Sequence, residues 1–386
     1  MSIMSSRQVS GFLQCVTAAV CLGAVAPDAR AEHGGPGNGG LTVDPTIGSY
    51  AGDNGLSGKL SIAGSDTMRP LVAKLAAQFT AVHPAVQIAV EGTGSGSAVR
   101  EFLLGISYQR RGDKVRGRGT TGGSTTVELL ASSRQLTEDE LSGFESNHGH
   151  RPLEVPIAMD AVAIYVHRDN PVQELAMEQV DAIFSKDRKR GHAPITIWKQ
   201  VGVQTALGDQ SIRLYGRDKK SGTREFFKHV ALKDGELKSE LMEQPGSASE
   251  IIAIAQDPLA IGYAGVGFQV SAVRTVPVAA AAGQLAVQPS AEAVISGAYP
   301  LGRSLYLYVK NQKDDMAPVV KEFLAFVNSR QGQETIARAN FYPLPNTQVA
   351  KNRQELGLPQ SPIAQGDVAE NDLLFAEKTV GRPTVR

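Results

Sequence analysis

Three times between Leu60 and Ala231 an apolar run of strand length enters a turn of glycine, serine and threonine and continues as a helical face. Leu60-Ser-Ile62-Ala63 leads to Gly64-Ser65-Asp66-Thr67-Met68-Arg69-Pro70, and Leu71, Val72, Leu75, Ala76 and Phe79 then share one side of a helix. Val86-Gln-Ile88-Ala-Val90 leads to Gly92-Thr93-Gly94-Ser95-Gly96-Ser97, with Val99, Phe102 and Leu103 beyond. Ile212-Arg-Leu214-Tyr215 leads to Gly216-Arg217-Asp218-Lys219-Lys220-Ser221-Gly222-Thr223, with Phe226, Phe227, Val230 and Ala231 beyond. Strands alternating with helices imply an α/β fold of largely parallel sheets with helices on both faces. In such sheets ligands sit outside the carboxyl ends of the strands, where all three turns lie.

The chemistry of these turns is that of an anion cradle. A helix start leaves backbone N–H groups unpaired and carries about half a positive charge. Glycine lets an anion approach the main chain, hydroxyls add donors, and an arginine matches two oxygens at once. Arg217, Ser221, Gly222 and Thr223 supply all of these within one turn. A short strand, Val127 to Ala131, ends similarly in Ser132-Ser133-Arg134.

The chain of 386 residues is long enough for two domains. It opens with Arg7, an apolar run from Phe12 to Ala26, then Pro27 and Ala29-Arg30-Ala31. That order predicts a secretory signal over residues 1–31, too short for a comfortable membrane span, and hence a periplasmic or secreted protein. Both cysteines, Cys15 and Cys21, fall inside it, so cleavage leaves no disulfide and no thiol nucleophile. A lipid-anchored form is the rival, disfavoured because Gln14 and Val20, which precede the cysteines, are large. Residues 32–57 are glycine-rich and predict a mostly disordered linker.

Further along, residues 106–124 carry Arg110, Arg111, Lys114, Arg116 and Arg118 among glycines, a basic insertion expected to be a solvated loop. Leu136-Thr-Glu-Asp-Glu-Leu141 predicts a capped helix start. Pro156 to Val166 is a long apolar strand suited to cross between lobes, and Leu305-Tyr-Leu-Tyr-Val309 would bring the chain back. Trp198, the only tryptophan, is expected to pack rather than stack on a ligand. The tail 346–386 has few apolar residues before Leu373 and is expected to wrap the surface or stay mobile.

Several functions are excluded or disfavoured. Lys+Arg and Asp+Glu both number 39, without the basic excess that nucleic-acid binding needs. Gly92-x-Gly94-x-Gly96 is one residue too tight for the dinucleotide fingerprint, and no phosphate loop of the nucleotide-hydrolysing type occurs. The seven histidines show no metal-ligand spacing, so neither metal nor other cofactor is expected. Ser221 has no general base nearby in sequence, which leaves phosphoester hydrolysis as a weak alternative and no catalytic residue assigned.

Taken in order, Gly64-Ser-Asp-Thr67, Gly92-Thr-Gly-Ser95, Ala131-Ser-Ser-Arg134, Arg217-x-x-x-Ser221-Gly-Thr223, Ala260-Ile-Gly-Tyr263 and Tyr299-Pro-Leu-x-Arg303-x-Leu-Tyr306 resemble the PstS-type phosphate-binding components of bacterial ABC importers. The resemblance covers about Lys59 to Pro345. It implies a two-lobed periplasmic-binding-protein-like fold of type II, each lobe a mixed, mainly parallel sheet, joined by crossing strands. Lobe 1 would comprise residues 58–158 and 303–345, and lobe 2 residues 159–302. The implied function is capture of inorganic phosphate, or a related tetrahedral oxyanion, by a monomer that delivers it to an ABC permease in the inner membrane. A sensor or scavenger of the same fold without a permease is the alternative.

Carried over by position, Thr67 would offer its hydroxyl, Met68 its N–H and Ser95 a further donor, while Arg217, Ser221, Gly222 and Thr223 would hold the anion from the other lobe. Ser133 stands where the family has an aspartate. A carboxylate can only accept, and so selects hydrogenphosphate over sulfate; a hydroxyl does both and leaves the choice open. Asp66 is the candidate replacement acceptor, unless it caps the helix that follows. Arg134 is a candidate supporting residue.

Overall fold

The computed structural model of the protein describes residues 41–52, 55–92, 94–105, 108–110, 115–117 and 127–359. Each alternating or apolar run of the first half becomes a strand: β1 (Gly58–Gly64), β2 (Val86–Gly92) and β5 (Leu129–Ser132). Between them lie α1 (Arg69–Val82) and α2 (Ser95–Leu104), then the short strands β3 (Tyr108–Arg110) and β4 (Val115–Gly117), which pair antiparallel. Those two strands fall within the basic insertion, whose remaining residues lie outside the described ones, as does the signal segment. Then α3 (Glu138–His148) begins with a capping box, Thr137 accepting from the Glu140 N–H at 3.3 Å and Glu140 from the Thr137 N–H at 2.8 Å.

β6 (Leu153–His167) is the strand on which both lobes are built. Its first part pairs antiparallel with β13 (Gly302–Val309), from Leu153 opposite Val309 to Ala161 opposite Gly302. Its second part pairs with β10 (Ala260–Gly265) and β11 (Val273–Val276). The second lobe otherwise contains β7 (Leu175–Ala176), α4 (Met177–Phe184), β8 (Arg213–Arg217), α5 (Gly222–Val230), β9 (Met242–Gln244), α6 (Ser247–Ala255), β12 (Val278–Ala279) and α7 (Ala291–Ile295). The chain then returns along β13 to α8 (Pro318–Val327), α9 (Arg330–Arg338) and α10 (Asn346–Glu355). The strand order is β2-β1-β5-β13-β6-β10-β8-β9. β1 runs parallel to β2 and β5, β8 runs parallel to β10 and β9, and the antiparallel pairs gather around the crossing strands.

Two lobes follow from where the apolar side chains go. In the first, Leu60 and Ile62 face α1 and α8, whereas Ala63 faces α2 and α3, so helices cover both sides of the sheet. In the second, Leu214, Ile261 and Tyr263 pack against α4 and α5, while Tyr215, Ala260 and Ala264 pack against α6. Trp198 is fully buried in the former cluster, a packing residue as its sequence context implied.

One expectation needs correction and another is narrowed. Residues 41–52 of the presumed linker are laid against the first lobe: Ile47 is buried beside Leu344 and Val349, and the Tyr50 ring meets Phe326 edge-on at 5.5 Å. The Tyr50 hydroxyl donates to Glu322 at 2.8 Å, and Arg330 Nε donates to the Ile47 carbonyl at 3.2 Å. The tail, expected to wrap the surface or stay mobile, takes the first course at its start: it opens with α10, where Asn352 and Arg353 are buried on hydrogen bonds to Pro156, Asn328 and Ala325. Composition concealed both, because each segment is anchored by a few large residues and many polar bonds.

At the site end of the sheet, Gly64 lies opposite Ala131 on one side and Gly92 on the other. A Cβ on Gly64 would overlap the Ala131 carbonyl. Gly64→Ala should therefore part β1 from β5 and cost about 3 kcal/mol, read as a lower denaturation midpoint; an unchanged midpoint would show that the strands can yield there.

Candidate functional site

Three helix starts meet where the lobes face each other. Asp66 and Thr67 precede α1, Ser221 is the N-cap of α5, and Ser247 opens α6. The third start lacks the Arg-Ser-Gly-Thr pattern; its signal is Gly246-Ser-Ala-Ser, where Ser249 donates back to the Gly246 carbonyl at 2.8 Å. The lobes also touch where the Gly96 N–H donates to the Lys220 carbonyl at 3.2 Å.

Arg217 ends β8 with 1% of its surface exposed. Its Nη1 donates to Ser247 Oγ at 2.6 Å and to Thr67 Oγ1 at 3.5 Å. Nη2 donates to the Pro245 carbonyl at 3.4 Å and lies 3.4 Å from Asp66 Oδ2. Its buried Nε has no hydrogen-bond partner among the described residues. Thr67 Oγ1 is 2.9 Å from Thr223 Oγ1 and 3.4 Å from Ser247 Oγ. Thr67 and Asp66 of one lobe thus meet Thr223, Ser247 and Arg217 of the other through hydroxyls and charge.

A second arginine lies behind this cluster. Arg303 of β13 stands opposite Asp160 of β6, and its Nε and Nη2 both donate to Asp160 Oδ2, at 2.9 and 2.7 Å. Nη2 also donates to Thr223 Oγ1 at 3.1 Å. Burial pushes the Asp160 carboxyl up and the Arg303 guanidinium down, and each partner opposes the other's shift. Two bonds onto one carboxylate oxygen keep the pair ionised.

The remaining sequence-derived candidates are distributed as follows. Ser221 Oγ accepts from the Arg224 N–H at 3.4 Å, and the first intrahelical bond is Glu225 N–H to the Ser221 carbonyl, so the Gly222 and Thr223 N–H groups precede it. Ser133 follows β5, two residues beyond Ala131, whose carbonyl accepts from Ser65 N–H at 2.8 Å. Its Oγ is buried without a partner among the described residues. Ser95 opens α2 after Gly94, whose φ is 89°.

Three expectations shift. Asp66 does not cap its own helix; its Oδ2 accepts from the Ser247 N–H at 3.1 Å and so caps α6 of the opposite lobe. The Met68 N–H is already given to the Ser65 carbonyl at 3.1 Å, and its side chain is in the core. Arg134 turns away from the cluster, donating to both oxygens of Glu140 at 2.8 Å and, across the lobes, to Glu225. Burial works against the Arg134 charge, but Glu140 and Glu225 outweigh it and raise its pKa. Asp160 joins the site without a local sequence pattern, while Ser247 has only the Gly246-Ser-Ala-Ser helix start and Arg303 only its place in the stretch from Tyr299 to Tyr306, neither of which carries an assigned role in the site. Among the described residues, no group of three or more His, Cys, Asp or Glu is arranged to hold a metal.

This architecture is that of a type II two-lobed substrate-binding protein, with its polar cluster in the cleft between lobes. Residues 49–331 match the PBP superfamily domain. The phosphate-binding protein PstS of Pseudomonas aeruginosa is 35% identical over 318 residues, 82% of this chain and 92% of that protein. The chain therefore belongs to the PBP superfamily, among its PstS-type members. PstS of Bacillus subtilis is 27% identical over 321 residues, 83% of this chain and 92% of its own. Among solved structures, the periplasmic phosphate-binding protein PfluDING bound with phosphate superposes with a TM-score of 0.59 at 18% identity, over 85% of this chain and 100% of that one. An ABC-type phosphate transport receptor from Vibrio cholerae gives 0.55 at 23%, over 74% and 100%. These two likenesses speak for the fold.

Proposed function

We propose that this protein is an extracytoplasmic binding protein that captures inorganic phosphate, or a closely related tetrahedral oxyanion, between its lobes and passes it to an ABC importer of the inner membrane. It acts as a monomer and does no chemistry on its ligand. The observation that carries this is Arg217, a buried guanidinium whose neighbours are hydroxyls of both lobes at three helix starts. An entering oxyanion would exchange hydroxyl–hydroxyl bonds for charge-assisted ones, and lobe closure would keep water out. The names of the PstS relatives and of the phosphate-bound neighbour support this ligand.

In this proposal Arg217, Thr67, Thr223 and Ser221 donate from side chains, Gly222 and Thr223 also donate from the main chain, and Ser95 is a further donor from the second turn. Met68 contributes only if its N–H leaves the Ser65 carbonyl. Asp66 Oδ2 already serves Arg217 and the Ser247 N–H, so we assign acceptance of the ligand's own proton to Ser133, the buried hydroxyl without a partner among the described residues. Because a hydroxyl can also donate, sulfate should compete.

Titration calorimetry of the chain lacking residues 1–31, with phosphate, arsenate and sulfate at two pH values, tests this. The expected result is one oxyanion per chain, phosphate tightest and sulfate measurable. Absence of heat and of thermal stabilisation with all three would overturn the assignment.

A further inference from the structure

We infer that Arg303, held by Asp160, is a positioning residue of the oxyanion site: it fixes the Thr223 hydroxyl as a donor into the cleft. The inference deepens the proposed anion-binding function and rests on it. A guanidinium can only donate. The 3.1 Å bond from Arg303 Nη2 therefore makes Thr223 Oγ1 an acceptor on that side. The hydroxyl has a single proton, and it is left for the other side, where Thr67 Oγ1 stands at 2.9 Å. Arg217 imposes the same condition on Ser247, whose Oγ accepts from Nη1 at 2.6 Å and keeps its proton for the cleft.

Each of the two arginines thus occupies one of the two acceptor lone pairs of a hydroxyl around one point and leaves that hydroxyl's proton to be given elsewhere. That suits an oxyanion, whose oxygens mainly accept. With a neutral apolar residue at position 303 the Thr223 hydroxyl would be free to rotate, and part of the ordering would be lost on binding.

Asp160 explains how the guanidinium can do this from a buried position. Both bonds from Arg303 end on Asp160 Oδ2, while Asp160 Oδ1 accepts the Val266 N–H at 3.2 Å. The pair is close to neutral as a unit, so what it adds to the site is direction more than charge. Its position on β6 and β13, the crossing strands, ties that direction to the part of the fold common to both lobes. Gly265 leaves room for this arrangement, since a Cβ there would come within 2.9 Å of Thr67 Cγ2 and 3.2 Å of Asp160 Oδ2.

A purely structural pair would staple β6 to β13 and leave anion affinity to other residues. A thermodynamic cycle separates the two roles. Phosphate affinity is measured by calorimetry for the wild type, D160N/R303M, T223V and the triple variant, with thermal melts of each without ligand. The double variant removes both charges together and so leaves no buried ion unpaired. We expect D160N/R303M to bind about tenfold more weakly, T223V at least as weakly, and the triple variant no more than about twofold below T223V.

Losses that multiply in the triple variant, or a double variant that binds like wild type, overturn the inference while leaving the anion site standing. A wild type that binds no oxyanion removes both. Should D160N/R303M fail to fold, R303K decides: lysine keeps the charge but cannot fork to Asp160 and Thr223 together. A folded R303K that binds as tightly as wild type would refute the positioning role, and a severalfold loss absent in the T223V background would support it.

Discussion

Arg217→Ala is expected to weaken phosphate binding by several kcal/mol, a hundredfold or more in Kd. The side chain is 1% exposed and donates to Ser247, Thr67 and Pro245. Each charge-assisted bond that the guanidinium gives a bound oxyanion is worth about 1.5–3 kcal/mol. Removing it also leaves Asp66 facing the anion without its cation, 3.4 Å from where Nη2 had been. Attraction would then become repulsion at the same point in the cleft. Arg217→Lys should recover only part of the loss, because an ammonium restores the charge without the fork. Calorimetry on both variants reads the effect, with thermal melts in the absence of phosphate confirming that each is folded. A loss below about 1 kcal/mol in a folded Arg217→Ala protein would take Arg217 out of the site.

The parts of this site that can be read in the sequence are those made by neighbours along the chain. Ser221, Gly222 and Thr223 open one helix, and the strand before it delivers Arg217 four residues earlier, so hydrophobic period and residue chemistry together suffice. β6 and β13 are legible for the same reason, through the apolar runs 161–166 and 305–309 that make up their more buried parts. What cannot be read is pairing across distance. Thr67 meets Thr223 over 156 positions, Asp66 meets Ser247 over 181, and Asp160 meets Arg303 over 143. Nothing local distinguishes Asp66 as a cap for its own helix from Asp66 as a cap for a helix in the other lobe.

The N-terminal strap and α10 escaped for a different physical reason. Hydrophobic patterning registers burial that is driven by apolar area. Arg353 is buried on carbonyl oxygens of Ala325, Asn328 and Pro359, and Asn352 on Asn328 and Pro156. A polar side chain with all its bonds made at a lobe surface looks, in sequence, like one in water.

Stability should fall as pH rises from about 4.5 to about 8, and Glu250→Gln should remove most of that fall. Glu250 lies on α6, fully buried, and its Oε1 accepts the Tyr263 N–H at 2.9 Å. Its Oε2 has no partner among the described residues. Burial is the main cause that pushes its pKa up to about 8 from 4.5, with the Tyr263 N–H and the Arg217 charge pulling the other way. The folded protein therefore holds a proton that the unfolded chain releases above pH 4.5, and ∂ΔG/∂pH of unfolding is negative across that interval. The contribution is fully present below about pH 4.5 and is lost as pH rises through about 8, at most roughly 1.4 kcal/mol for each tenfold difference in proton affinity between the folded and unfolded chain. Near neutrality the carboxyl is mainly protonated, which leaves the Arg217 charge undiminished for an anion; at higher pH an ionised Glu250 would compete for it. Urea unfolding of the wild type and of Glu250→Gln at pH 5, 6.5 and 8 separates this group from all others. Two curves that fall in parallel would mean that Glu250 is ionised in the folded protein throughout, and that the charge beside Arg217 is already balanced from within the second lobe.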